Sequence, residues 1–119
     1  MQITGEVPES LIQEVVRRIV DAVRPKRIIL FGSAARGQMR PNSDLDILVV
    51  MRDGIHRRET ALKAYRALHR LGVPKDVVVV TESDVEQFGD EPSLVIYPAL
   101  CEGKEIYREP DPSDPRIAG

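Results

Sequence analysis

Asp44, Asp46 and Asp76, together with the Gly32-Ser33 pair, are the residues of this chain whose types and spacing bear on reaction chemistry. Asp44 and Asp46 open the run Leu45-Asp46-Ile47-Leu48-Val49-Val50-Met51, which is apolar on both faces of a strand except at its start. Two residues apart, their side chains point the same way, with backbone positions roughly 6 to 7 Å apart. Carboxylates on a strand otherwise buried on both sides cost several kcal/mol each in desolvation unless a cation compensates. The pair therefore suits a shared Mg²⁺, a hard cation that takes few protein oxygens when phosphates fill its remaining positions. Gly32 lets backbone approach a phosphate closely, and Ser33 offers a hydroxyl and an amide where a short helix through Ala34 and Ala35 is expected to begin.

The surrounding pattern supplies the elements that must position these groups. Residues 8 to 24 place Leu11, Ile12, Val15, Val16, Ile19, Val20 and Val23 on one side and Glu14, Arg17, Arg18 and Asp21 on the other, an amphipathic helix bounded by Pro8 and Pro25. Lys26 to Phe31 reads as a buried strand ended by Gly32. Arg52-Asp53-Gly54 turns the chain after Met51, and a second helix is expected from Arg57 to Leu71, with Ala61, Leu62, Tyr65, Leu68 and Leu71 facing inward and Gly72 and Pro74 stopping it. Lys75 to Val80 is a third, β-branched strand.

Strand, helix, strand is a right-handed crossover, so the second and third strands are parallel and Asp76 lies at the same sheet edge as Asp44 and Asp46. If the first strand is antiparallel to the second, Gly32-Ser33 reaches that edge too. Beyond this, Ser83 is a candidate cap for a short helix through Phe88. A last helix covers part of Ser93 to Glu102 with Gly103 as its stop, and Glu105-Ile106-Tyr107 adds an edge strand. Residues 1–108 form the expected domain, and residues 109–119, rich in Pro and Asp, read as a flexible tail.

Other phosphate and metal motifs fail on particular letters. Gly32 to Gly37 has P-loop spacing, but Gln38 and Met39 stand where Lys and Ser or Thr are needed. A dinucleotide fingerprint requires Gly at Ala34, and an EF-hand requires a ligand at Leu48. His56 and His69 lack metal-ligand spacing.

Composition narrows the setting. With 119 residues, 42% of them hydrophobic, the chain makes one core and leaves no room for a second. A net charge of −2 gathers no nucleic acid, so general nucleic-acid binding is not expected. No apolar run approaches the roughly 20 residues a membrane helix needs, and the first residues do not resemble a signal peptide. Cys101, the one cysteine, reads as a small buried residue and forms no internal disulfide, which points to the cytoplasm.

The run Gly32-Ser33, ten residues, Asp44-Leu45-Asp46, with a later Asp opening a strand, resembles the minimal nucleotidyltransferases of the DNA polymerase β superfamily, in particular those of antitoxin type. Ser33-Ala34-Ala35-Arg36-Gly37, Asn42-Ser43-Asp44-Leu45-Asp46 and the ending Glu102 to Tyr107 carry the likeness, which spans about residues 8 to 108. The resemblance implies an α/β palm-like domain, a mixed sheet of about four strands with helices mainly on one face. It implies that Asp44 and Asp46 bind two Mg²⁺ ions, that Asp76 is a third carboxylate activating the acceptor hydroxyl, and that Gly32-Ser33 grips the triphosphate. Arg36 and Ser43 are further candidates for phosphate binding. The activity implied is transfer of a nucleoside monophosphate, commonly AMP from ATP, with a HEPN-domain protein as partner and an antitoxin role.

Two rivals stay open: a binding module that neutralises its partner without chemistry, and a transferase acting on a small molecule. Self-association is also left open. His56, Arg57, Arg58, Lys63, Arg66, His69 and Arg70 make the second helix basic on its outer side, which reads as a solvated face or as a contact for an acidic partner or RNA.

Overall fold

The computed structural model describes residues 4–88 and 96–110. The elements follow in the order α1 (Glu9–Val23), β1 (Arg27–Phe31), β2 (Leu45–Met51), α2 (Arg57–Ala67), β3 (Lys75–Thr81), α3 (Glu82–Phe88), α4 (Ile96–Glu102) and β4 (Lys104–Arg108). The four strands form one mixed sheet in the order β3-β2-β1-β4. β2 and β3 are parallel, as the crossover through α2 requires, and β1 is antiparallel to both β2 and β4. Among the described residues no helix is long and apolar enough to cross a membrane.

The alternation in β2 divides the core. Leu45, Ile47, Val49 and Met51 join Leu11, Ile12, Val15 and Ile19 of α1 and Leu68 beyond α2 in one cluster, and Leu48 and Val50 join Ile29, Val80 and Ala99 in another. The two longer helices thus share one face, and the seven-residue helices α3 and α4 cover the other. Pro8 precedes α1, its carbonyl accepting from the Leu11 and Ile12 N–H groups, and Arg24 ends the helix in a left-handed conformation at φ 50°.

Several local expectations are corrected. α2 ends at Ala67, and the chain continues in tight turns in which the Leu68, His69 and Leu71 N–H groups bond three residues back. Of the expected inner face, Leu68 and Leu71 are buried and Ala61 packs partly against the core, joined by Thr60 and Ala64, while Leu62 and Tyr65 stand about half exposed at 48% and 50%. Small residues occupy the inner positions because α2 packs against both α1 and β3. His56 caps α2, Nδ1 accepting from the Glu59 N–H at 3.1 Å. Thr81, rather than Ser83, caps α3: its Oγ1 accepts from the Asp84 N–H, and Asp84 Oδ2 accepts from the Thr81 N–H, a reciprocal capping box. Ser83 instead donates to Asp53, tying the turn after β2 to α3. Cys101 is exposed, whereas Ala99 of the same helix is buried in the core.

Glu109, placed by the sequence pattern in the tail, donates its N–H to Lys26 O at 2.8 Å and pairs with Lys26 Nζ at 3.0 Å. The rest of that expected tail, from residue 111, lies outside the described residues, as does the part of the last helix expected before residue 96.

Candidate active site

The site lies at the sheet edge where β2 and β3 begin and β1 ends. Asp46, the second residue of β2, stands opposite Phe31 of β1 on one side and opposite Asp76 of β3 on the other. Asp44 precedes β2 and is exposed, Asp76 is exposed, and Asp46 is half-buried. Since Asp46 alternates with Leu45 and Ile47, its side chain emerges on the face covered by α3 and α4.

Gly32 follows β1 at φ +64°, in the left-handed region that favours glycine. A Cβ at this position would run into Asp46 Oδ2. The missing side chain is what allows the end of β1 and the Asp46 carboxylate to share the space. Ser33 to Gly37 form turns rather than the expected short helix: the Arg36 N–H bonds Gly32 O at 3.3 Å, but Gln38 reaches back to Ser33 O at 3.0 Å and Gly37 to Ala34 O at 3.4 Å. Gly37, at φ +66°, ends the coil before a helix can propagate. Met39 then pairs with Gly5 in a two-bond bridge, N–H to O at 3.0 Å and 2.8 Å, so the segment before α1 straps the turn down.

Each candidate side chain has a definite place. Ser33 Oγ turns to Met39 Sδ at 3.3 Å. Ser43 Oγ accepts from the Arg40 N–H at 3.0 Å while the Ser43 N–H bonds Arg40 O, a closed turn that aims the chain into Asp44. Arg36 Nε donates to Gln38 Oε1 at 3.3 Å, and its Nη1 lies 3.7 Å from Glu102 Oε2. A cleft of about 180 Å³ runs behind the turn between Leu30, Ala34, Arg36, Glu6 and Lys104.

The electrostatics single out Asp46. Burial, then the neighbouring Asp76 and Asp44 charges, raise its carboxyl above the ordinary value, and Arg36 works the other way. Among the described residues no three His, Cys, Asp or Glu side chains are grouped so as to hold a metal ion by themselves. The edge is an open, oxygen-rich site with excess negative charge, the donor chemistry that a Mg²⁺ arriving with its own phosphate ligands would complete.

The family model for the nucleotidyltransferase domain matches residues 11–102. The chain belongs to this family. That stretch contains Gly32, Ser33, Arg36, Ser43, Asp44, Asp46 and Asp76. No curated protein matches the chain by sequence. Among solved structures, the chain resembles a chain of a toxin–antitoxin complex with AMP-PNP, at 24% identity and a TM-score of 0.58, over 82% of this chain and 73% of that one. It also resembles a chain of a tri-AMPylated Shewanella oneidensis HEPN toxin in complex with MNT antitoxin, at 20% identity and a TM-score of 0.53, over 84% of this chain and 71% of that one. A third match is the toxin–antitoxin MntA-HepT, at 21% identity and a TM-score of 0.53, over 85% and 73% of the two chains. At these identities the likeness is one of fold, and it agrees with the palm-like domain expected from the sequence.

Proposed function

We propose that this nucleotidyltransferase moves AMP from ATP to a hydroxyl on a HEPN-type protein partner in the cytoplasm and so acts as its antitoxin. The observation that carries the reading is Asp46, half-buried and set in register between Phe31 and Asp76, with Gly32 cleared to admit its carboxylate. Asp44, Asp46 and Asp76 would hold Mg²⁺, two ions in the full site, which when bound neutralises charge on the triphosphate and on the departing oxygen. Gly32, Ser33 and Arg36 grip the triphosphate, with Ser43 beside them. Ser33 exchanges its weak contact to Met39 Sδ for a phosphate oxygen.

In the reaction, the acceptor oxygen attacks the α-phosphorus and the bond from that phosphorus to the bridging oxygen of the β-phosphate breaks. Pyrophosphate leaves, and the hydroxyl proton passes to Asp76. The Asp76 and Asp44 charges beside Asp46 leave excess negative charge that Mg²⁺ arriving with the triphosphate would neutralise.

A protein acceptor is supported by what the fold leaves bare. α2 runs back from the far end of β2 to the start of β3, so its C-terminal end approaches the site edge. It exposes Leu62 and Tyr65 among basic residues, with Lys75 Nζ lying 4.9 Å from the Tyr65 ring centroid. The solved toxin–antitoxin structures that share the fold add a partner of the proposed kind.

The test is incubation of the chain with labelled ATP, Mg²⁺ and a HEPN-type protein encoded beside it. Label is expected on the protein and is expected to vanish in Asp44→Asn. Inhibition of the partner without label, unchanged in Asp44→Asn, would sink the enzyme reading in favour of a binding module; label on a small molecule alone would move the acceptor.

A further inference from the structure

The end of α4 is built against β1, just before the turn that starts at Gly32, more tightly than a surface helix needs to be. A Cβ on Gly103 would collide with Ala99 O and would meet Ile29 Cγ2 at 2.6 Å and Leu30 O at 2.9 Å. Gly103 is therefore required for close approach: it lets the last turn of α4 touch the backbone of β1 just before Gly32. That contact sets the position of the preceding residue, Glu102, whose Oε2 lies 3.7 Å from Arg36 Nη1 across the turn. Arg36 is held from its other side by Gln38 Oε1 at 3.3 Å.

We propose that Glu102 is a positioning residue that parks the Arg36 guanidinium over the phosphate turn in the free protein and surrenders it to the triphosphate. This rests on Arg36 being a phosphate ligand, as the proposed function has it. A guanidinium fork accepts carboxylate and phosphate oxygens in the same geometry, so the two compete for one group. With side chains 48% and 63% exposed, the Arg36–Glu102 pair is weak and screened by salt, worth up to about five-fold in an equilibrium. A triphosphate carrying several charges displaces it. After transfer, the returning Glu102 competes with pyrophosphate for Arg36 and hastens its departure.

The experiment is a double-mutant cycle on the dissociation constant of Mg²⁺-ATP, using wild type, Glu102→Gln, Arg36→Gln and the double variant, at low and at high salt. Glu102→Gln is expected to bind about two- to five-fold tighter at low salt, with the gain shrinking at high salt. In the Arg36→Gln background the same change is expected to do nothing. In turnover, Glu102→Gln lowers the KM for ATP and strengthens pyrophosphate inhibition by a similar factor.

Unchanged binding in Glu102→Gln overturns the proposal. Equal tightening with and without Arg36 also overturns it, since that would be a general effect of charge. Wild-type affinity in Arg36→Gln overturns it while leaving nucleotide transfer standing. Failure of the wild type to bind Mg²⁺-ATP removes the functional reading as well.

Discussion

Gly32 and Asp46 meet across the antiparallel β1–β2 pair so closely that a single methyl group on Gly32 would clash with Asp46 Oδ2. Gly32→Ala therefore carries two penalties, a left-handed backbone at φ +64° costing about 1 to 2 kcal/mol and a displaced carboxylate. Gly54 separates them: at φ +90° it has nothing within 4 Å of a built Cβ. Both alanine variants are expected to melt earlier, and only Gly32→Ala to weaken Mg²⁺-ATP binding by calorimetry. Equal nucleotide affinity in the two would show that Asp46 tolerates the methyl.

Asp46 binds its proton more tightly in the folded chain than in the unfolded one, because burial and the Asp76 and Asp44 charges oppose its ionisation. Ionisation then lowers stability as pH rises through the window above the ordinary carboxylate value, and the loss is absent below it. Asp46→Asn is expected to melt above wild type at neutral pH without metal, with the gap closing towards acid. Transfer is expected to fall by more than about 100-fold, since even the outer partners of metal ligands cost 10- to 100-fold. A variant no more stable than wild type at neutral pH, in melts with chelator, would contradict the electrostatic account.

At the opposite end of the sheet the sign reverses. Burial alone would raise the Asp84 carboxyl, but the Thr81 N–H, the Arg57 guanidinium and the Thr81 hydroxyl together lower it. Arg57 Nη2 lies 2.8 Å from Asp84 Oδ1. The stability this gives is complete above the unfolded carboxylate value and is lost as pH falls through the folded one. Asp84→Asn is expected to cost up to about 1 kcal/mol at neutral pH, the worth of a charge pair with an exposed partner, and less in acid. Nucleotide transfer should be untouched; chemical denaturation at two pH values, with a transfer assay alongside, checks both.

Ligand removal tests the site as a whole. Mg²⁺-ATP at 100 times its dissociation constant should add about 2.7 kcal/mol, and chelation of the metal should remove most of that gain. Stabilisation by millimolar ATP that survives chelator, or that survives loss of both Asp44 and Asp46, would place the nucleotide elsewhere.

The layout of the site edge is legible in the chain's periodicity. The unbroken apolar run after Asp46 marks a strand buried on both faces, and the strand–helix–strand order brings Asp76 to its leading end. Alternation along a strand and the handedness of crossovers are enough for this, and both are local properties. They lead to the parallel β2–β3 pair and, once β1 is antiparallel, to the edge that Gly32 shares with Asp46.

The inner face of α2 is not legible in the same way, because that helix has few apolar residues, and several faces fit the pattern equally well until α1 and β3 select Thr60 and Ala64. Nor is Thr81 as the cap of α3, or Ser83 as a donor to Asp53, since a hydroxyl chooses its partner only once the turn after β2 stands beside it.

The sequence by itself determined at which sheet edge Gly32, Asp44, Asp46 and Asp76 gather. Tertiary structure alone decided how they are held: Ser33 turned to Met39, Ser43 closed on Arg40, Arg36 set between Gln38 and Glu102. The physical reason is range. Periodicity is written along the chain, whereas a polar side chain spends its hydrogen bonds on whatever distant backbone the fold delivers.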